Sequence, residues 1–156
     1  MRVALFGDSF LQYYYDSWCE TVATDLNWKV MMQQGFPGGS QHTIYESFID
    51  FSKIHKPDLI LFCHTEPRRL ANKHRLGINV VTAAGDAGLR MPEEVHRAAS
   101  AYYEHIFHER FHTDIHDLLI RDIQEKCVEI GCRQIHLQSF NDKVTQTHGM
   151  LSLIHI

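Results

Sequence analysis

No apolar run in this 156-residue chain approaches the ~20 residues needed to span a bilayer. The four cysteines, Cys19, Cys63, Cys127 and Cys132, form no C-x-x-C pair, which argues against a zinc knuckle or a dithiol redox motif. There is no internal repeat and no low-complexity tract. The excess of one sign of charge is also small. The formal net charge is −4, and no basic stretch suits nucleic acid or an anionic membrane. The N-terminus enters a strand at once, Arg2 to Phe6, leaving no room for a leader peptide. A cytoplasmic, reduced protein is therefore expected, with Cys63 as a buried thiol.

What remains is ordinary for one globular domain: 44% hydrophobic and 22% charged residues. The one excess is histidine, at 12 residues, which makes chance matches to histidine motifs more frequent.

Short apolar runs alternate with helical patterns. Val3 to Phe6, Trp28 to Met32, Leu59 to Cys63 and Gln134 to Leu137 read as strands covered on both faces. Ser17 to Leu26 reads as a helix. Ser40 caps the next, in which Ile44, Phe48 and Phe51 recur at helical spacing. Pro92 fits a first helical position and opens a long stretch with two apolar stripes. These are Val95, Ala99, Tyr102 and Ile106, then Ile115, Leu119, Ile123 and Cys127, ending at Gly131. One straight helix over that span would be about 58 Å long, so a break is expected near His112 to Asp114. Ala71 to Arg90 lacks periodicity and reads as a long loop near the ligand side. The βα alternation predicts an α/β fold, a three-layer α/β/α sandwich on a parallel, doubly wound sheet.

Ligands of such sheets bind at the C-terminal strand ends. The first such end is Gly7-Asp8-Ser9-Phe10, where a serine on a strand-to-helix turn is exposed and lies near a helix dipole. The same residues also suit a plain capped turn. After the second strand, Gly35-Phe36-Pro37-Gly38-Gly39-Ser40 opens a helix with bare N–H groups. Pro57-Asp58-Leu59-Ile60-Leu61-Phe62 leads into the third strand end.

In this order the three segments resemble the first blocks of the SGNH (GDSL) hydrolases, over residues 1–70, with the βα order continuing to 140. The resemblance implies a flavodoxin-like sheet and a serine esterase or acyl hydrolase working through an acyl-enzyme. An O-acylated carbohydrate or another small-molecule ester is the expected substrate; no cofactor, nucleic acid or membrane is implied. It makes Ser9 the nucleophile, with the N–H groups of Ser9 and Gly38 in the oxyanion hole and Gly39 as the fallback. Asp8 would shape the turn, and Thr65, Glu66 and Arg68 would line the site.

Two blocks depart from the family pattern. The family's third block, G-x-N-D, falls on Thr65-Glu66-Pro67-Arg68, where Pro67 replaces the asparagine donor. Thr65, Arg68 or Arg69 are the candidate substitutes, and Arg68 and Arg69 also suit an anion clamp. The D-x-x-H block, source of the general base, is nowhere in the chain. His148 has Thr145 where the Asp belongs. Leu151 to Ile156 can be encoded by CTG TCT CTT ATA CAC ATC, a string matching a transposon-end sequencing adapter. The expectation is a single incomplete SGNH-like domain over 1–150 and non-native read-through over 151–156.

A rival motif is His108-Glu109-Arg110-Phe111-His112, an H-E-x-x-H. On a helix it would set two zinc ligands one turn apart, with His105 and His116 extending the face and Glu125 or Glu129 as a distant third ligand. Arg110 between the two histidines and the histidine excess favour a plain histidine-rich helix face. A third possibility is a non-catalytic SGNH-like scaffold that binds without turnover.

Overall fold

The computed structural model describes residues 1–12, 17–73, 77–84 and 91–138. Four parallel strands, β1 (Arg2–Asp8), β2 (Lys29–Phe36), β3 (Leu59–His64) and β4 (Arg133–Gln138), form one sheet in the order β2-β1-β3-β4. The helices are α1 (Trp18–Asp25), α2 (Gln41–Ser52), α3 (Val80–Ala83), α4 (Glu93–His105) and α5 (Glu109–Glu129). The fold is α/β, a parallel sandwich.

Continuous apolar runs make the central strands. β1 and β3 are buried along almost their whole length, because helices cover both faces. On one face Ala4, Phe6, Ile60 and Phe62 meet Ile44, Phe48 and Phe51 of α2 and Ile123 and Cys127 of α5. The Phe6 ring lies 5.4 Å from Phe51 and 6.0 Å from Phe48, at edge-to-face angles. On the other face Val3, Leu5, Leu59 and Leu61 pack with Leu11 and with Cys19 of α1.

Caps set the helix starts. The Ser17 side chain accepts from the Glu20 N–H, and Ser40 accepts from the Thr43 N–H. Gly131, at φ +72°, ends the run after α5.

Several boundaries differ from expectation. Pro92 is the N-cap of α4, with ψ 141°, one residue before the helix. The break between the two long helices falls at Ile106–His108, not at His112 to Asp114. Thr113 is helical, and its hydroxyl donates to the Glu109 carbonyl one turn back. The buried face of α5 is His116, Ile120, Ile123 and Cys127, whereas Ile115 is exposed. β2 continues through Gly35 and Phe36, which shortens the glycine turn.

The expected loop over 71–90 carries structure as well. Leu70 bridges to Ile78, α3 has a reciprocal Asn79–Thr82 capping box, and Ser100 donates to the Ala83 carbonyl at 2.6 Å. His148, Thr145 and 151–156 lie outside the described residues, as do 74–76 and 85–90. Among the described residues no helix is long and apolar enough to cross a membrane.

Candidate functional site

The chain leaves β1 to build β2 on one side, then returns to build β3 on the other. The crevice of such a sheet opens between the C-terminal ends of the two strands flanking that reversal, here β1 and β3. Register brings the three candidate segments to one edge: Asp8 pairs with Phe36, and Gly7 pairs with both Gly35 and Cys63. Ser9, the Pro37–Gly39 turn and the Thr65–Arg69 segment therefore leave neighbouring strands at the same end.

Ser9 is exposed and opens a short 3-10 turn, Ser9–Leu11. Asp8 is fully buried and caps that turn, accepting from the Phe10 N–H at 3.1 Å. This is the shaping role expected of it. Burial raises the Asp8 carboxyl above its ordinary pKa, opposed by the Phe10 N–H and by the Arg69 guanidinium.

Gly38 holds φ +68°, and a Cβ there would lie 2.5 Å from the Gly77 Cα. Glycine is needed both for the turn and for this close approach. The Gly39 N–H already donates to the Phe36 carbonyl at 2.8 Å, so the fallback donor is taken up by the turn itself.

After β3 the chain makes a turn from Glu66 to Arg69, with Pro67 at its second position, where a fixed φ is favoured. The two arginines then separate. Arg68 pairs outward with Glu109 of α5, both half exposed or more, so it does not line the crevice. Arg69 turns inward, its side chain only 10% exposed. Its Nη1 lies 3.6 Å from Asp8 Oδ2, and its Nε donates to Glu66 at 3.2 Å. Asn79, absent from the residues singled out in the sequence, donates from Nδ2 to the same Glu66 oxygen at 3.0 Å. A signal for it existed. Gly77-Ile78-Asn79 is a G-x-N triplet outside the segments singled out in the sequence.

A second polar cluster lies on the β4 side of β3. Gln41 Oε1 lies 3.2 Å from His64 Nδ1. His64 Nε2 lies 2.6 Å from His136 Nδ1, and His136 Nε2 lies 2.8 Å from Gln134 Oε1. Both rings are buried, and burial pushes both pKa values down, that of His136 to about 4. His116 of α5 bonds the Thr65 carbonyl through Nε2 at 2.8 Å. No sequence motif marked His64 or His136.

The H-E-x-x-H does not form a helical ligand pair. His108 has extended backbone and precedes α5, and its Nδ1 accepts from the Phe111 N–H as an N-cap. His112 Nε2 is 2.5 Å from the Tyr102 hydroxyl. Each ring thus has a structural use. Among the described residues no group of three or more metal-ligating side chains converges.

A solved acetyl xylan esterase structure, AlAXEase, is 13% identical to this chain, covering 87% of it and 77% of its own length at a TM-score of 0.40. A likeness of that degree carries no argument about chemistry. No protein-family model and no curated protein sequence matches the chain.

Proposed function

We propose that the chain is an ester hydrolase of SGNH type acting on a small-molecule or carbohydrate O-acyl ester, with Ser9 as nucleophile. The observation that carries this reading is an exposed serine at the β1 end of the sheet's switch point, with a glycine held at positive φ in the turn that leaves the neighbouring strand β2. The Ser9 and Gly38 N–H groups are the assigned oxyanion donors. No third side-chain donor is assigned in place of Pro67: the Asn79 amide already donates to Glu66, and its oxygen accepts from the Thr82 N–H.

In the proposed reaction Ser9 Oγ adds to the ester carbonyl and gives its proton to a base. The tetrahedral oxyanion collapses, the alcohol leaves with a proton, and water then cleaves the Ser9 ester to release the acid. The sequence contains no D-x-x-H to supply that base. Turnover by these 156 residues alone is therefore expected near the level of a serine enzyme stripped of its triad partners, about 10³–10⁴ over water.

The test is p-nitrophenyl acetate hydrolysis by the chain and by Ser9→Ala, each with and without added imidazole as an external base. A rate difference between the two proteins that grows with imidazole supports the reading. Equal rates in both, at every imidazole concentration, would remove Ser9 as the nucleophile.

A further inference from the structure

A cleft of about 160 Å³ opens beside the switch point, between the start of α2, the segment after β3 and α5. That is room for several waters, the scale of one small ring. Gln41 lines it and is only 4% exposed, yet among the described residues its Nε2 has no hydrogen-bond partner. Turning the amide does not remove the vacancy. Gln134 donates from Nε2 to the Gln124 carbonyl, so its Oε1 faces His136 and makes His136 Nε2 the protonated nitrogen. His64 then donates from Nε2 to His136, leaving its Nδ1 as an acceptor for a Gln41 N–H. In that arrangement Gln41 Oε1 is the atom left over. Either way one buried polar atom of Gln41 is unmatched among the described residues.

We propose that this cleft binds one ring of a neutral sugar, a subsite that rests on the hydrolase reading above and supplies its carbohydrate moiety. A hydroxyl both donates and accepts, so it satisfies Gln41 in either orientation; a carboxylate satisfies only one. Charge argues the same way. Two carboxylates, Asp8 and Glu66, flank the single guanidinium of Arg69, which disfavours an anion, and Arg69 in turn disfavours a cation. Glu66, partly exposed in the cleft, is a further hydroxyl acceptor. Phe111, 58% exposed at the cleft, offers an aromatic face to the C–H side of a ring, with Ile115 and Leu119 beside it.

The experiment titrates methyl β-D-glucopyranoside into isotope-labelled Ser9→Ala protein, followed by amide NMR, with sodium butyrate as a charged comparator. Saturable shifts that include the Gln41 side-chain amide are expected. Phe111→Ala, a surface change compatible with folding, should weaken binding about fivefold, and Gln41→Leu should abolish it. No saturation, unchanged affinity in Phe111→Ala, or butyrate binding tighter than the glucoside would each overturn the subsite. p-Nitrophenyl acetate carries no sugar, so its Ser9-dependent turnover reports on the hydrolase reading alone. Turnover without glucoside binding removes the subsite and keeps the hydrolase. Glucoside binding without turnover keeps the sugar site and removes the hydrolase.

Discussion

Two buried polar clusters flank β3, and they meet the cost of burial in opposite ways. Toward β1, Asp8 and Glu66 keep their place through the Arg69 guanidinium and the Asn79 amide. Toward β4, Gln41, His64, His136 and Gln134 form a chain of neutral hydrogen bonds, with both rings held unprotonated by burial. The ionic cluster includes Asp8, which precedes Ser9, and the neutral one runs from the start of α2 through β3 to β4. A charged cluster depends on every partner, since losing one leaves an uncompensated charge out of water. A neutral chain depends on its protonation state, since one added proton places a charge among Phe62 and the two rings.

The largest expected effect breaks the ionic side. Arg69→Met should lower unfolding free energy by about 3–5 kcal/mol in urea titration, because Asp8 is left fully buried with Glu66 as its like-charged neighbour. A loss below about 1 kcal/mol would show that the cluster is not ionic in solution. Arg68→Met sharpens the contrast. Its pair with Glu109 is exposed, so a change of about 0–1 kcal/mol is expected.

Acid should expose the neutral side. Unfolded histidine binds a proton near 6.5, whereas folded His136 does so only near about 4 and folded His64 also well below 6.5. The unfolded state thus holds more protons between these values, and stability falls as pH drops from about 6.5 toward 4. The slope should reach about 1.4 kcal/mol per pH unit for each proton. Asp8 works the other way. Its raised pKa means the folded state binds its proton first, so its contribution grows as pH falls through the raised folded value toward the ordinary 3.8. Urea midpoints across pH for the chain and for His136→Gln should show a shallower acid slope in the variant; identical slopes would place the titration elsewhere.

Smaller effects belong to the crevice backbone. Gly38→Ala should cost about 1–3 kcal/mol by thermal unfolding, because an L-residue at positive φ is strained and its Cβ meets Gly77. Ser9→Ala should change stability by less than about 0.5 kcal/mol, since the side chain is exposed, so any effect on turnover would be chemical.

Much of this was legible in the sequence. Apolar runs such as Val3 to Phe6 and Leu59 to Cys63, short and flanked by turn residues, read as central parallel strands. Ser17, Ser40 and Gly131 act through local backbone geometry that neighbours do not override. The position of Ser9 follows from the same short-range logic. Local patterns misjudged α5, however. Its start was hidden by a histidine serving as a cap, and its buried face was set by how α5 leans on the sheet.

Composition and spacing determined the α/β class, the strand cores and the edge of the sheet that carries Ser9, because these depend on period and turn chemistry within a few residues. Only the tertiary structure decided which of two adjacent arginines turns inward. Only it brought Asn79 to Glu66 across thirteen positions and joined His64 to His136 across seventy-two. Those choices depend on which partners the fold brings within hydrogen-bond reach in a water-poor interior, and no local pattern encodes that distance.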